Sequence, residues 1–200
     1  MNIMFRKNKF FIAHINDETY FLIDNGKGIK DFSFKGQLSD QLHLKFKQFL
    51  DLYEVSLDDI NSIYVSRGPG SFTALRTIIL FAKTLCLCLG AQLFSSNIFE
   101  IFLYGSDSLK GVQNMVLFSK KNNYYLAKVI PNKGLCGYNL VEERELNNLS
   151  GFIIGDKPFK NFKSISFKDI KINFSIFREE DVYYFEPEYG IDLNVKIYHR

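Results

Sequence analysis

The residues with the clearest chemical potential form a turn, Arg67-Gly68-Pro69-Gly70-Ser71-Phe72-Thr73, between a short apolar run and a long apolar helix. Glycines ahead of a helix leave backbone N–H groups pointing outward, a geometry that cradles anions. A phosphate loop also needs a lysine after its last glycine. Here Ser71, Phe72 and Thr73 follow Gly70, and Thr73 stands where a dinucleotide fingerprint has its third glycine. The alternative reading is structural, a tight turn in which Ser71 caps the helix. On that reading Gly70→Val destabilises the fold, because glycine tolerates positive φ and close approach.

Other reactive groups are sparse. His14, His43 and His199 are scattered and lack a His-x-x-x-His spacing, whereas a zinc site needs three or four convergent ligands. Cys86 and Cys88 lie about 200° apart on one helix, so they cannot chelate one metal and read as core. Cys136 has no histidine partner in the sequence and reads as a packed thiol. Three cysteines, an odd number, argue against a disulfide framework and fit a reducing cytoplasm. A net charge of +3 does not announce a nucleic-acid binder. Residues 157–174 interleave lysines with Phe159, Phe162, Phe167 and Phe174. That pattern serves phosphate contact and base stacking, or equally strands with a buried aromatic face and a solvated lysine face.

These groups need elements to hold them. The 200 residues are 46% apolar, with Phe 21, Tyr 11 and Trp 0, enough to bury a core. Strands are expected at 2–5, 10–15, 20–23 and 29–34, with a hairpin turn at 24–28. Leu38, Leu42, Phe46, Phe49, Leu50 and Tyr53 recur at spacings of three and four, which predicts a helix that Ser39 caps. Ser56 with Asp59 predicts a short helical turn. A strand at 62–66, a helix at 72–89 stopped by Gly90 and a strand at 92–96 make a parallel crossover. Asn97 with Glu100 offers a capping box for a helix over 98–104. Strands at 115–119, 124–130 and 152–156 follow a change of composition near 106–111.

The helix at 72–89 is apolar over most of its circumference. Its polar residues Thr73, Arg76, Thr77, Lys83 and Thr84 form one narrow stripe. One sheet covers one side only, so a neighbouring helix, from this chain or another, must cover more. Arg76 and Lys83 are expected to break this segment below membrane-spanning length. The N-terminus is too short and too interrupted in its apolar run for a signal peptide. A cytoplasmic chain with no membrane association is expected.

The stretch "RGPGSFTALR" resembles the "GPGSFTGLR" signature of the TsaB (YeaZ) family, the bacterial partner protein in making threonylcarbamoyladenosine on tRNA. Residues 38–103 carry most of the match. "VLFSKKNNYYLAKV" and the closing "EPEYG" are weaker echoes. The matching motif residues are Arg67, Gly68, Pro69, Gly70, Ser71, Phe72, Thr73 and Arg76. The resemblance implies an α/β chain of the actin-like ATPase (ASKHA, ribonuclease H-like) fold with two small mixed-sheet domains. Residues 1–105 would carry the turn and the partner-binding helices, and residues 106–200 the second domain.

The resemblance also implies a scaffold with no catalytic, cofactor or metal residues of its own. The TsaD homologue would transfer the threonylcarbamoyl group to the adenosine beside the anticodon. This chain would bind TsaD through its first two long helices. A TsaE homologue would join them, and tRNA would be met through the complex. Leu42, Phe46, Leu75, Ile79 and Ala82 are the expected interface residues, shared with a homodimer when TsaD is absent, so Ala82→Glu is expected to weaken association. The sequence departs from the family at Arg6, Lys7 and Asn8, where an Asp-Thr-Ser is usual, and at Leu38, Ala74, Phe118 and Lys120. Lys7 has the wrong charge for the magnesium of an actin-like ATPase. The rival readings are a metallopeptidase-like or ATP-hydrolysing enzyme of the same superfamily, and a tRNA-binding module.

Overall fold

Alternation within one apolar run decides the layering. In β1 (Asn8–Ile15), Phe10 and Ile12 are buried on one face, and Phe11, Ala13 and Ile15 on the other. A strand apolar on both faces must lie between two covering layers. The computed structural model, which describes residues 8–156 and 158–190, supplies both. β1 pairs antiparallel with β2 (Glu18–Asp24), which pairs with β3 (Ile29–Lys35). On its other side β1 runs parallel to β4 (Ile60–Ser66), and β4 to β5 (Gln92–Ser96). The helices α1 (Leu38–Tyr53) and α2 (Phe72–Leu89) cover the face of Phe10 and Ile12.

The opposite face meets α3 (Ile98–Gly105) and a second sheet. That sheet contains β6 (Asn114–Lys120), β7 (Asn123–Ile130), β8 (Gly134–Glu142), β9 (Gly151–Ile154) and β10 (Phe162–Ile165), in the order β10-β9-β6-β7-β8. The chain then returns to the first sheet as β11 (Arg178–Glu180), antiparallel to β5 at its edge.

The described elements follow the apolar periodicity closely, and the differences are local. Gln37, not Ser39, stands at the start of α1, and Ser39 spends its hydroxyl on Asp40 inside the first turn. The turn at Leu57–Asp59 closes through the Asp59 N–H on the Ser56 carbonyl, without side-chain capping. Asn97 does cap α3, accepting from the Phe99 N–H at 2.9 Å, but Glu100 takes the Ser96 hydroxyl instead of closing a box. Ser71 stands at the N-cap of α2 with no side-chain bond, while Gly90 ends that helix at φ 63. By length and composition α2 could cross a membrane despite Arg76 and Lys83. Its Ile78, Ile79, Ala82, Leu85 and Cys86 are instead buried on the first sheet, so it is a core helix here. The strand expected at 2–5 lies outside the described residues.

Candidate functional site

The glycine turn is occupied by its own chain. The Arg67 and Gly68 carbonyls and the Arg67 N–H are bonded within the chain: the Arg67 N–H donates to the Ser96 carbonyl at 3.0 Å, and the Ile98 N–H to the Gly68 carbonyl at 2.8 Å. The Glu188 N–H donates to the Arg67 carbonyl at 2.7 Å. The Arg67 guanidinium pairs with Glu180 and with Glu188, each at 3.3 Å. Residues 181–190 thus form a strap laid over the turn. The strap touches every layer. The Tyr138 hydroxyl from β8 donates to Glu188, and the Tyr125 hydroxyl from β7 to the Tyr189 carbonyl. On the helical side, Lys83 of α2 donates to the carbonyls of Tyr183 and Phe185 at 3.2 and 3.1 Å. Tyr189 lies 4.6 Å from the ring of Phe72, which Arg76 covers from another side.

Gly68, not Gly70, is the glycine this packing demands. Gly68 has φ +122, and a Cβ there would stand 2.0 Å from the Glu188 carbonyl oxygen. Gly70 has no positive φ, and a Cβ would make only ordinary contact with Leu75 at 3.7 Å. The expectation placed on Gly70→Val therefore moves two positions along the chain. Glu180 of β11 and Glu188 of the strap escaped the sequence reading, and only Glu188 had a signal, the "EPEYG" echo.

The five residues expected at a partner interface are all buried within the chain: Leu42, Phe46, Leu75, Ile79 and Ala82. Phe46 meets Phe10 and Phe81 at 4.9 and 5.1 Å, and Ala82 is 0% exposed. The stripes of α1 and α2 that carry these five residues point toward the first sheet, so within this chain they are core. The apolar residues α2 leaves outside are Phe72, Leu80 and Leu87, with Leu80 67% exposed. Leu42 and Ile79 reach only the floor of a groove of about 530 Å³, walled by α1, α2 and the strap, with His43 and Leu80 on its rims.

The first hairpin also falls elsewhere than expected. Arg6 and Lys7 lie outside the described residues, and Asn8 opens β1 as a buried residue. The hairpin ends at Asn16, Asp17 and Glu18, so the charge argument resting on Lys7 does not apply. His14 sits beside this end, donating from Nε2 to the Asn16 carbonyl at 3.0 Å and accepting at Nδ1 from Thr19 at 2.9 Å. Burial pushes its pKa below the ordinary value, against the opposing pull of the Asn16 carbonyl and the Asp17 charge. A histidine held neutral by folding takes a proton more readily when unfolded. Stability attributable to it is therefore present above the unfolded pKa, about 6.5, and is lost as pH falls below it. Thermal unfolding from pH 7.5 to pH 5 should show a midpoint that drops less in His14→Gln than in the unsubstituted protein.

The remaining candidates stay apart. Among the described residues no group of three or more His, Cys, Asp or Glu side chains gathers as a metal set, and His199 lies outside them. Cys86 is buried, with its thiol pushed up to about 12 by that burial, and Cys88 and Cys136 are exposed. In the lysine-rich stretch Phe162 and Phe167 are buried, and Phe159 packs on Tyr124 at 5.0 Å. Lys163 and Lys168 face solvent, Lys160 pairs with Glu143, and Lys157 lies outside the described residues. Aromatic rings turned inward give bases little to stack on.

The architecture has known counterparts. YeaZ from Pseudomonas aeruginosa matches with a TM-score of 0.60 and 14% identity, over 74% of this chain and 75% of that one. A crystal structure of "an uncharacterized protein with similarity to peptidase YEAZ from Pseudomonas aeruginosa" matches with a TM-score of 0.70 and 13% identity, over 92% of this chain and 100% of that one. At such identities the likeness shows the fold, the actin-like ASKHA fold. No curated protein matches the sequence. A family model described as "TsaD: tRNA N6-adenosine threonylcarbamoyltransferase" matches residues 16–124, from the first hairpin turn to the start of β7. That is more than half of the chain, which belongs to this family of tRNA threonylcarbamoylation proteins and carries the YeaZ (TsaB) fold.

Proposed function

We propose that the chain is a non-catalytic partner subunit that docks on the TsaD homologue through the α1–α2 face, with a TsaE homologue joining the complex in the cytoplasm. The observation that carries this reading is the outer ridge of α2. Arg76, Leu80, Thr84 and Leu87 follow at three- and four-residue spacing, all exposed, beside the groove floored by Leu42 and Ile79. A ridge presenting Leu80 and Leu87 beside a shallow groove suits the apolar stripe of a partner helix. The missing lysine after Gly70 supports the same reading, since a phosphate loop carries one there. A division into units of residues 1–105 and 106–200 belongs to the proposal, with the strap passing back between them. A homodimer through the same face would compete with TsaD, and tRNA would be met through the complex.

Co-expression with the TsaD homologue of the same organism tests this directly. The two should co-purify as a stable complex that retains the TsaE homologue. The chain alone should neither hydrolyse ATP nor transfer a threonylcarbamoyl group. Separation of the two proteins at the first purification step would overturn the scaffold reading.

A further inference from the structure

A cleft of about 620 Å³ opens between the first hairpin turn and the second sheet. In an actin-like fold the ends of the first hairpins are where a magnesium nucleotide would be held, so these residues can be tested against that ligand. They do not fit it. The β1–β2 turn is only Asn16 and Asp17, and the β6–β7 turn only Lys121 and Asn122, and neither contains a glycine; glycines reach the cleft only singly, as Gly70 beside Ser71 and Gly155 beside Asp156, and not as a loop that wraps phosphates. Asn16 donates across the cleft to the Ile154 carbonyl at 3.3 Å. The Glu18 carboxylate is already taken by Tyr20 at 3.0 Å, Ser33 at 2.7 Å and Lys35 at 3.9 Å. Asp17 and Asp156 line the cleft with no ion-pair partner among the described residues; no third His, Cys, Asp or Glu gathers with them there to hold a magnesium ion, and a phosphate without its metal would meet their repulsion.

The same lining suits the opposite charge. Phe118, Tyr124 and Phe159 stand in a chain of ring contacts at 5.6 and 5.0 Å along one wall, with Phe118 42% exposed. Tyr20 and Phe167 meet with tilted rings, centroids 4.3 Å apart, on another. The charges of Asp156 and Asp17 both reach the Tyr20 hydroxyl, and burial leaves His14 uncharged at neutral pH. Because no metal set forms among the described residues, the carboxylates do not converge on a bare ion. We propose that this cleft binds an organic cation, a quaternary or protonated amine with an apolar body, in place of a nucleotide. The ammonium would lie against the aromatic faces, whose quadrupoles attract it, with Asp17 and Asp156 at the rim.

Benzyltrimethylammonium is a suitable probe, compared by calorimetric titration with MgATP and with uncharged benzyl alcohol. The chain should bind the ammonium saturably at millimolar concentration and more weakly as salt rises. It should not bind MgATP. Asp17→Asn with Asp156→Asn, and separately Phe118→Ala, should each weaken the probe about tenfold. These three side chains are exposed, so circular dichroism should show the fold unchanged. Saturable MgATP binding, equal affinity for benzyl alcohol, no binding of the ammonium, or unaltered affinity in both variants would each overturn the proposal.

Discussion

Replacing Ala82 by glutamate should strip the protein of much of its stability, whereas glutamate at Leu80 should keep the fold and weaken binding of the proposed partner. Ala82 is 0% exposed on the sheet-facing side of α2, packed in the layer of Phe10, Ile12 and Phe46. A carboxylate there overfills the core and loses its water, which together cost about 4 kcal/mol or more. Marginal domains hold only about 5–15 kcal/mol in total. Leu80, 67% exposed and two residues away on the opposite side of the helix, should tolerate the same change to within about 0.5 kcal/mol. Its burial under a partner helix is worth about 1.5–3 kcal/mol, so Leu80→Glu should weaken TsaD association by about tenfold or more. Denaturant unfolding and an affinity titration on the two variants decide the matter. A folded Ala82→Glu protein with lost binding would restore the interface to the inner stripe.

Gly68→Ala should be nearly as damaging to stability. The added Cβ would strike the Glu188 carbonyl oxygen at 2.0 Å, and φ +122 is poor for any side chain. Relief requires lifting the strap, with its ion pairs to Arg67 and its tyrosine bonds. We expect a loss of about 3 kcal/mol, which lowers the thermal midpoint by about 10 °C for a chain of this size. Gly70→Ala, two residues on, should stay within about 1 kcal/mol and can stabilise by restricting the unfolded chain. Equal effects of the two substitutions would mean that the turn, not the strap, sets the demand for glycine.

Where apolar periodicity was strong, the sequence was a reliable guide. Both long helices, the central strands and the parallel crossover follow from spacing alone, because burial on one or two faces leaves a period of 3.6 or 2 in the chain. What the periodicity could not reveal was direction within a nearly all-apolar helix. Ile79 and Leu80 look alike in sequence, and only the crossing of α2 over β1 and β4 decides which of them meets solvent. β8 was hidden because Gly134, Gly137 and Asn139 lower its strand propensity and its register shifts beside Gly137. β11 was hidden because Arg178, Glu179 and Glu180 have no apolar pattern, and the strand exists by pairing with β5. The cleft combines residues scattered from His14 to Phe167, so it had no local signature. The position of the first hairpin was misread because the apolar "MNIMF" competes with "FFIAHI" for the role of opening strand.

The strap gives the chain a built-in order of assembly. Arg67 and Glu180 are 113 residues apart in sequence, and the edge strand β11 that docks on β5 is equally late. A ribosome delivers α1, β4 and α2 long before it delivers their last cover. During that interval the Gly68 turn lacks its lid and Lys83 its two carbonyl acceptors. Contacts this distant in sequence close slowly, so a nascent chain would show protection from hydrogen exchange in β1 and β4 well before it appears at residue 68. Synthesis, not only sequence, therefore decides when the helical face is finished.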